Sequence, residues 1–156
     1  MSESRIVRVP FRDVPARTLV VSCCDGRYID AVEQLLADQG VPNHDLISYP
    51  GGPAHLDPFR SYLEHQALSE ALDFMVRAHR TERVVLIAHS DCAYYLSKHG
   101  TCEVSRQERD LQVAARQVQS RHEGVVVDLY YLSPLDEGRV SARQVPPASE
   151  ESAWML

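Results

Sequence analysis

The stretch Arg83-Val84-Val85-Leu86-Ile87-Ala88, followed at once by His89-Ser90-Asp91-Cys92, decides the fold of this chain. Its first part is β-branched and aliphatic, a run typical of a strand that is buried on both faces of a parallel sheet. The run stops at a histidine and, three residues later, a cysteine. Imidazole nitrogen and thiolate sulfur are the ligands that zinc prefers, and this spacing lets one turn of backbone bring both onto a single ion. The sequence therefore predicts a buried strand whose carboxyl end carries two metal ligands.

A second segment near the start of the chain repeats this design. Residues 17–22 (RTLVVS) form a similar run, and residues 23–27 (CCDGR) follow it. If the two strands lie side by side, Cys23 meets His89 and Cys92, which gives three protein ligands and one open position, as in catalytic zinc sites. Cys23 and Cys24 are adjacent and cannot both point into one site from an extended strand. We expect one to bind the metal and the other to pack or face elsewhere.

Composition limits the classes of function that remain. A chain of 156 residues with 44% hydrophobic residues is expected to be a single domain with a substantial core. Its 16 basic and 22 acidic residues, with no basic run, argue against binding to nucleic acid. No apolar run approaches the roughly 18 residues of a membrane span, and no secretory signal is present, so we expect a cytoplasmic protein with no membrane partner. Four cysteines in this context indicate metal or thiol chemistry rather than a disulfide framework.

The hydrophobic pattern alternates between strand and helix periods along most of the chain. Strands are predicted at residues 17–23, 45–49, 83–88 and 125–132, with an edge strand at 139–145. Helices are predicted at residues 28–39, from Asp57-Pro58 to Arg80, and from a capping box of Ser105 and Glu108 to about Gly124. The second helix is expected to carry one apolar stripe, formed by Phe59, Leu63, Leu68, Leu72, Met75 and Val76. The third is expected to keep Leu111, Ala114, Ala115 and Val118 on one side. The domain is expected to cover residues 1–156, with an N-terminal arm at 1–16 and a flexible tail at 146–156.

This alternation predicts an α/β fold with three layers. Repeated βαβ units with right-handed crossovers give a mostly parallel sheet with flanking helices. For the first and third strands to be neighbours, the strand order must be 2-1-3-4, with the C-terminal edge strand added. Ligands collect at the carboxyl ends of strands where the order reverses, which here is between those two strands. Cys23 and His89 are therefore expected at that place.

The pattern Cys23-x-Asp25-x-Arg27, followed later by His89-x-x-Cys92, resembles the signature of the β-class carbonic anhydrases. The similarity extends over roughly residues 17–145 and includes Glu70-Ala71-Leu72-Asp73-Phe74 before the third strand. The resemblance implies a zinc lyase in which zinc-bound hydroxide hydrates carbon dioxide reversibly to bicarbonate. It also implies a homodimer or a higher multiple.

The resemblance assigns roles to individual residues. Cys23, His89 and Cys92 would bind Zn²⁺. Asp25 would either take the fourth position and close the site, or pair with Arg27 and leave that position to water. Arg27 would hold the carboxylate through a two-pronged hydrogen bond that lysine cannot form. Asp25 would then orient the nucleophile, which makes Asp25 and Arg27 the catalytic residues of the prediction. A histidine such as His55 is a candidate for carrying the released proton.

The sequence departs from the family pattern in three places. Gly26 stands where serine is common, Ala93-Tyr94-Tyr95 follows Cys92 where glycine is usual, and Tyr49-Pro50-Gly51-Gly52 replaces a loop of the Asn-Ala-Gly type. Gly51 and Gly52 still allow backbone to approach the site closely, so they are candidate substrate-binding residues.

These departures leave open the substrate and the rate. One alternative is the same zinc chemistry directed at carbonyl sulfide or carbon disulfide. Another is a catalytically silent zinc-binding or sensing module. Retention of Asp25 and Arg27 argues against the silent module, because a purely structural zinc site needs neither.

Overall fold

In the computed structural model, which describes residues 8–149, five strands form a single sheet. In chain order they are Thr18–Ser22 (β1), Asp45–Ser48 (β2), Arg83–His89 (β3), Val126–Pro134 (β4) and Val140–Gln144 (β5). Across the sheet the order is β2-β1-β3-β4-β5. The first four strands are parallel, and β5 runs antiparallel to β4 along the edge. The predicted fold class and strand order are confirmed.

Four helices connect and cover the strands. They are Ile29–Asp38 (α1), Tyr62–His79 (α2), Ala93–His99 (α3) and Val104–Arg121 (α4). Short 3-10 turns lie at Gly26–Tyr28, Gly52–Leu56 and Asp136–Gly138. Within residues 8–149, no helix has the length and apolar character needed to cross a membrane.

Both faces of the sheet are buried, which explains the unbroken apolar runs of β1 and β3. One face of β3, with Val84 and Leu86, packs against α2 and α4. The other face, with Val85 and Ile87, packs against α1. Successive strand residues point to opposite faces, so one apolar run supplies two cores. The result is the predicted three-layer arrangement.

The predicted start of the second helix at Asp57-Pro58 is wrong, because α2 begins at Tyr62. Asp57 Oδ1 accepts a hydrogen bond from the Phe59 amide at 2.9 Å, so its side chain closes a local turn instead of capping a helix. The Arg60 side chain, at the end of this turn, donates to both carboxylate oxygens of Asp110 on α4. This ion pair holds the turn against α4. Phe59 and Leu63, predicted in the apolar stripe, are 91% and 75% exposed.

The predicted capping box of α4 is also wrong. Helix α4 begins at Val104, which places Ser105 inside the helix, and Glu108 pairs with Arg143 on β5 instead of reaching back to the helix start. Its predicted apolar face is confirmed: Leu111, Ala114, Ala115 and Val118 are buried.

Helix α3 was not predicted from the sequence. It is short, and its apolar residues do not extend over enough turns to establish a helical period. Its one clear signal is Gly100, which ends the helix in the left-handed conformation with φ of 71°.

The terminal segments are described only in part. Residues 8–16 and 145–149 contain neither helix nor strand. The remainder of the predicted arm, residues 1–7, and of the predicted tail, residues 150–156, lies outside the described residues.

Candidate metal centre

The reversal of strand order brings three distant residues together. Strands β1 and β3 are parallel neighbours, with Ser22 opposite Ile87, so their carboxyl ends lie at the same edge. Cys23 directly follows β1, His89 ends β3, and Cys92 precedes α3. The ligand atoms of Cys23, His89 and Cys92 all lie within 4.8 Å of one another. The sequence analysis expected these three side chains to meet here.

The two thiols of the cluster are close but not bonded. Cys23 Sγ and Cys92 Sγ are 3.9 Å apart, and both cysteines are free. Two sulfurs bound tetrahedrally to one zinc at about 2.3 Å would lie about 3.8 Å from each other. The hydrogen bond with Cys92 lowers the pKa of Cys23 below its ordinary value. The same hydrogen bond, together with burial, raises the pKa of Cys92. One thiolate is therefore ready for a cation, and the second thiol would lose its proton on metal binding.

His89 presents an unpartnered nitrogen in this cluster. Its Nδ1 lies 2.7 Å from the carbonyl oxygen of Ser90, so Nδ1 carries the hydrogen and donates it. The Nε2 atom is buried and has no hydrogen-bond partner within the described residues. The Tyr28 ring packs against the imidazole with a centroid distance of 4.4 Å. A buried nitrogen with a free lone pair beside two thiols fits a zinc ligand, because it would otherwise remain unsatisfied.

Asp25 and Arg27 form a two-pronged ion pair beside Cys23. Arg27 Nε donates to Asp25 Oδ1 at 3.0 Å, and Nη2 donates to Oδ2 at 2.6 Å. The Arg27 amide also donates to Oδ1, so Asp25 caps the 3-10 turn that follows β1. These hydrogen bonds from Arg27 lower the pKa of Asp25 to about 2. The carboxylate is thus ionised and paired with Arg27, and its role toward a bound metal stays a prediction.

Arg27 also joins the two loops that carry the cluster. Its Nη2 donates to the carbonyl oxygen of Asp91 at 3.1 Å. Asp91 lies between His89 and Cys92 and has a left-handed backbone, with φ of 52°. One guanidinium therefore fixes the loop after β1 relative to the loop after β3.

The glycine loop after β2 lies against the end of β1. Gly52 has φ of 49°, and a Cβ there would lie 2.6 Å from the carbonyl carbon of Ser22. Gly51 has φ of 81°, and a Cβ there would overlap the Tyr94 ring. The Gly51 amide donates to Cys23 Sγ at 3.5 Å. Close packing and a hydrogen bond to the thiol explain both glycines, and their contact with substrate stays a prediction.

His55 is enclosed by aromatic rings next to this loop. The rings of Tyr49 and Tyr94 lie at centroid distances of 4.8 Å and 4.7 Å from the imidazole. The side chain is 0% exposed, and its Nε2 lies 2.7 Å from the carbonyl oxygen of Pro50. A proton carrier to solvent needs access to water, so this position does not support that role for His55.

Sequence reasoning missed the residues that support Cys92 from α3, from α4 and from the loop between these helices. Cys102 Sγ accepts hydrogen bonds from the Cys92 amide at 3.2 Å and from Gln107 Nε2 at 3.0 Å. Tyr95 packs in the same small cluster as Cys92 and donates its hydroxyl hydrogen to Asp110 at 2.6 Å. These contacts join residues 5 to 15 positions apart, in the two helices and in the loops beside them. No local pattern signals them.

A small apolar cavity opens beside the cluster. Its volume is about 70 Å³, and Cys23 and His89 form part of its wall. The remaining wall is largely apolar and includes Tyr28, Val32 and Leu132. Tyr94 is not among the described residues that line it. The cavity therefore suits a small uncharged molecule next to Cys23 and His89.

Comparison with known sequences identifies a matching family model and two curated relatives. A family model described as "Putative carbonic anhydrase" matches residues 16–140. An uncharacterized protein of Rickettsia conorii is 25% identical over 96 residues, which is 61% of this chain and 52% of that protein. An uncharacterized protein of Rickettsia bellii is 22% identical over 98 residues, or 62% of this chain and 60% of that protein. The chain thus spans little more than half the length of these curated relatives.

Comparison with solved structures identifies the fold. The β-carbonic anhydrase isoform I of Trichomonas vaginalis has a TM-score of 0.56 at 14% identity, covering 87% of each chain. The β-carbonic anhydrase CafA of Aspergillus fumigatus has a TM-score of 0.56 at 13% identity, covering 91% of this chain and 81% of that one. A tetrameric β-carbonic anhydrase of Sordaria macrospora has a TM-score of 0.52 at 10% identity, covering 83% and 81%.

Proposed function

The chain belongs to the carbonic anhydrase family whose model matches residues 16–140, and from this premise we propose that it is a zinc lyase that reversibly hydrates carbon dioxide to bicarbonate. The observation that carries the proposal is the meeting of Cys23, His89 and Cys92 where the strand order reverses. Two thiolates and one imidazole are a ligand set of catalytic zinc sites, which keep a further position for water or substrate.

In this proposal Cys23 Sγ, Cys92 Sγ and His89 Nε2 hold the zinc ion. When bound, the ion lowers the pKa of a water ligand from about 15.7 toward 7, which supplies a nucleophile at neutral pH. The Ser90 carbonyl fixes the tautomer and orientation of His89 by accepting its Nδ1 hydrogen. The Gly51 amide stabilises the Cys23 thiolate.

Asp25 orients the attacking water in this proposal. Its carboxylate is ionised, so it accepts hydrogen bonds and donates none. Accepting a hydrogen from the water directs a lone pair of that water toward the carbon of the substrate. Arg27 keeps the carboxylate in one orientation because its guanidinium donates a hydrogen bond to each of the two carboxylate oxygens. The net reaction combines water with carbon dioxide and releases bicarbonate and one proton to solvent.

The cavity supports a substrate of the size and polarity of carbon dioxide. A volume of about 70 Å³ admits a molecule of a few heavy atoms, and the largely apolar wall favours one without charge. Tyr49 and Tyr94, which replace the residues usual in β-class enzymes, pack around His55. Neither tyrosine is among the described residues that line this cavity, so carbon dioxide is the substrate we propose.

We further propose that the chain assembles as a homodimer or a higher multiple. Ile29 and Leu46 line the cavity and are 54% and 52% exposed. Leu63, on the first turn of α2, is a further apolar side chain at the surface and is 75% exposed. Apolar surface of this kind marks protein–protein contacts. Light scattering after size-exclusion chromatography tests the assembly, and a mass equal to one chain at all concentrations contradicts it.

One experiment tests the enzyme proposal directly. Zinc content and stopped-flow hydration of carbon dioxide are measured on the same purified sample, and we expect about one zinc per chain together with a rate above the buffer background. Carbonyl sulfide and carbon disulfide are assayed in parallel, because both are also linear and uncharged. Zinc-loaded protein with no hydration at neutral or mildly alkaline pH would overturn the proposal. Turnover of a sulfur compound alone would replace carbon dioxide as the substrate.

A further inference from the structure

A broad groove lies between the turn at residues 57–60 and one face of α4. Its volume is about 560 Å³, and it shares no lining residue with the cavity at the metal centre. Four of the residues that line it are arginines, namely Arg60, Arg106, Arg109 and Arg116. The chain as a whole carries a net charge of −6, so this concentration of positive charge is local.

Three of these arginines form a stripe on α4. Arg106, Arg109 and Arg116 are three and seven residues apart, a spacing that places them on one side of a helix. In the described part of the chain, none of the three has a hydrogen bond or ion pair to another side chain. The acidic residues of this helix region are already engaged: Asp110 binds Arg60, and Glu108 binds Arg143. The protein therefore leaves the charge of the stripe uncompensated.

Two guanidinium nitrogens of the stripe are buried without an acceptor. Arg106 Nε and Arg116 Nη2 are out of contact with solvent and have no hydrogen-bond partner among residues 8–149. A charged N–H group that is buried away from water needs a hydrogen-bond acceptor. A donor without one costs the free energy of its desolvation. A bound anion would supply acceptors to both arginines.

Arg60 forms the opposite wall of the groove and is already fixed in place. Its Nη2 donates to both oxygens of Asp110 at 2.7 Å and 2.6 Å, and its Nη1 donates to His99 Nε2 at 2.8 Å. Burial, together with the nearby charges of Arg106 and Arg60, lowers the pKa of His99, so its imidazole is neutral and accepts this hydrogen bond. The groove thus has one rigid wall and one stripe of uncompensated arginines.

We propose that this groove binds a small molecule that carries two phosphate groups. A helix rises about 1.5 Å per residue, so Arg106 and Arg109 are about 4.5 Å apart along the axis and can share one phosphate. Arg116 lies about 10 Å further along and needs a second anionic group. Guanidinium groups bind phosphate through paired hydrogen bonds, and each phosphate offers several acceptor oxygens. Phe59, exposed on the rim, offers an apolar contact for the carbon skeleton between the two phosphates.

Fructose 1,6-bisphosphate and fructose 6-phosphate are matched probes for this site. Calorimetric titration of the full chain at fixed ionic strength should show one bisphosphate bound per chain, at least tenfold more tightly than the monophosphate. The double variant R106Q/R116Q should weaken binding of the bisphosphate at least tenfold. R77Q, which removes an exposed arginine of α2 outside the groove, should leave the affinity unchanged.

The exposed Arg109 keeps the test decisive if the double variant fails to fold. R109Q alters an exposed side chain, and it should also weaken bisphosphate binding severalfold. The proposal is overturned by equal affinity for the two sugars, by affinity that survives in R109Q and R106Q/R116Q, or by an equal loss in R77Q. Because the readout is binding of a sugar phosphate, its result is independent of whether the chain hydrates carbon dioxide.

Discussion

Arg27 donates two hydrogen bonds to the Asp25 carboxylate, from Nε to Oδ1 at 3.0 Å and from Nη2 to Oδ2 at 2.6 Å. This pairing keeps the carboxylate ionised and in one orientation, directly beside Cys23. It also distinguishes the site from a purely structural zinc site, which has no use for an oriented carboxylate near the metal. The first two predictions concern this pair.

Arg27→Lys should lower the hydration rate at least tenfold while zinc content stays near one per chain. Lysine keeps the charge but offers a single ammonium group, so Asp25 loses its fixed orientation. Stopped-flow hydration and metal analysis on the same sample give both readouts. Arg17→Lys is the matched control, because Arg17 forms an exposed ion pair with Glu82 at the amino end of β1, opposite the end that carries Cys23. Equal rates in wild type and Arg27→Lys would contradict the orienting role.

Asp25→Asn should retain zinc and lose about 100-fold in rate. Asparagine keeps the size of the side chain but removes the negative charge, and it presents an amide donor where an acceptor is needed. A loss of this size is at the lower end of what a positioned acid–base group contributes. The measurement is kcat for hydration, with zinc bound per chain as the control. Turnover that equals wild type would remove Asp25 from the mechanism.

Cys92→Ser should abolish stoichiometric zinc binding and leave the sheet folded. A hydroxyl is a poor replacement for thiolate as a zinc ligand, whereas the two cores on either side of β3 are formed by apolar contacts that do not involve Cys92. Metal analysis and circular dichroism test the two halves of this prediction. A variant that binds zinc normally would argue that Cys92 is not a ligand. A variant that unfolds would show that the fold depends on the ion.

The sequence alone predicted those features that depend on the local hydrophobic pattern or on the order of strands in the sheet. Continuous apolar runs identified β1 and β3, because strands buried on both faces cannot alternate with polar residues. The placement of Cys23 and His89 at neighbouring strand ends then followed from the strand order. Burial of Leu111 and Val118 followed from helical spacing in the same way.

The elements that sequence reasoning placed wrongly depend on contacts between distant residues. Asp57 closes a turn in a segment that an ion pair from Arg60 to Asp110 holds in place across 50 positions of the chain. Glu108 is drawn to Arg143 across 35 positions. The burial of His55 likewise results from the rings of Tyr49, which follows β2, and of Tyr94, which lies in α3. Local propensity carries no information about such partners.

Tyr95→Phe should destabilise the protein by about 2 kcal/mol, because it removes a buried hydrogen bond to a charged acceptor. The Tyr95 hydroxyl donates to Asp110 at 2.6 Å, and the variant leaves Asp110 bound to Arg60. Urea denaturation followed by circular dichroism measures the change in the free energy of unfolding. Tyr62→Phe is the matched control, because Tyr62 is exposed and should lose almost nothing. Equal stability of the two variants would contradict an energetic role for the Tyr95 hydroxyl.

Gly52→Ala should destabilise the protein by more than about 1 kcal/mol, which is the cost of the left-handed backbone alone for a residue with a side chain. The added Cβ would also lie 2.6 Å from the Ser22 carbonyl carbon and 2.7 Å from the Cys23 nitrogen, both of them backbone atoms. The loop or the end of β1 must therefore shift, and a shift at Cys23 moves a proposed zinc ligand. We expect weaker zinc binding as well as a lower midpoint in urea. Gly26→Ala separates this effect from the general cost of replacing glycine, because no atom lies within 4 Å of a Cβ at that position. If both variants matched wild type in stability and zinc affinity, the close approach of the glycine loop to β1 would have no energetic consequence.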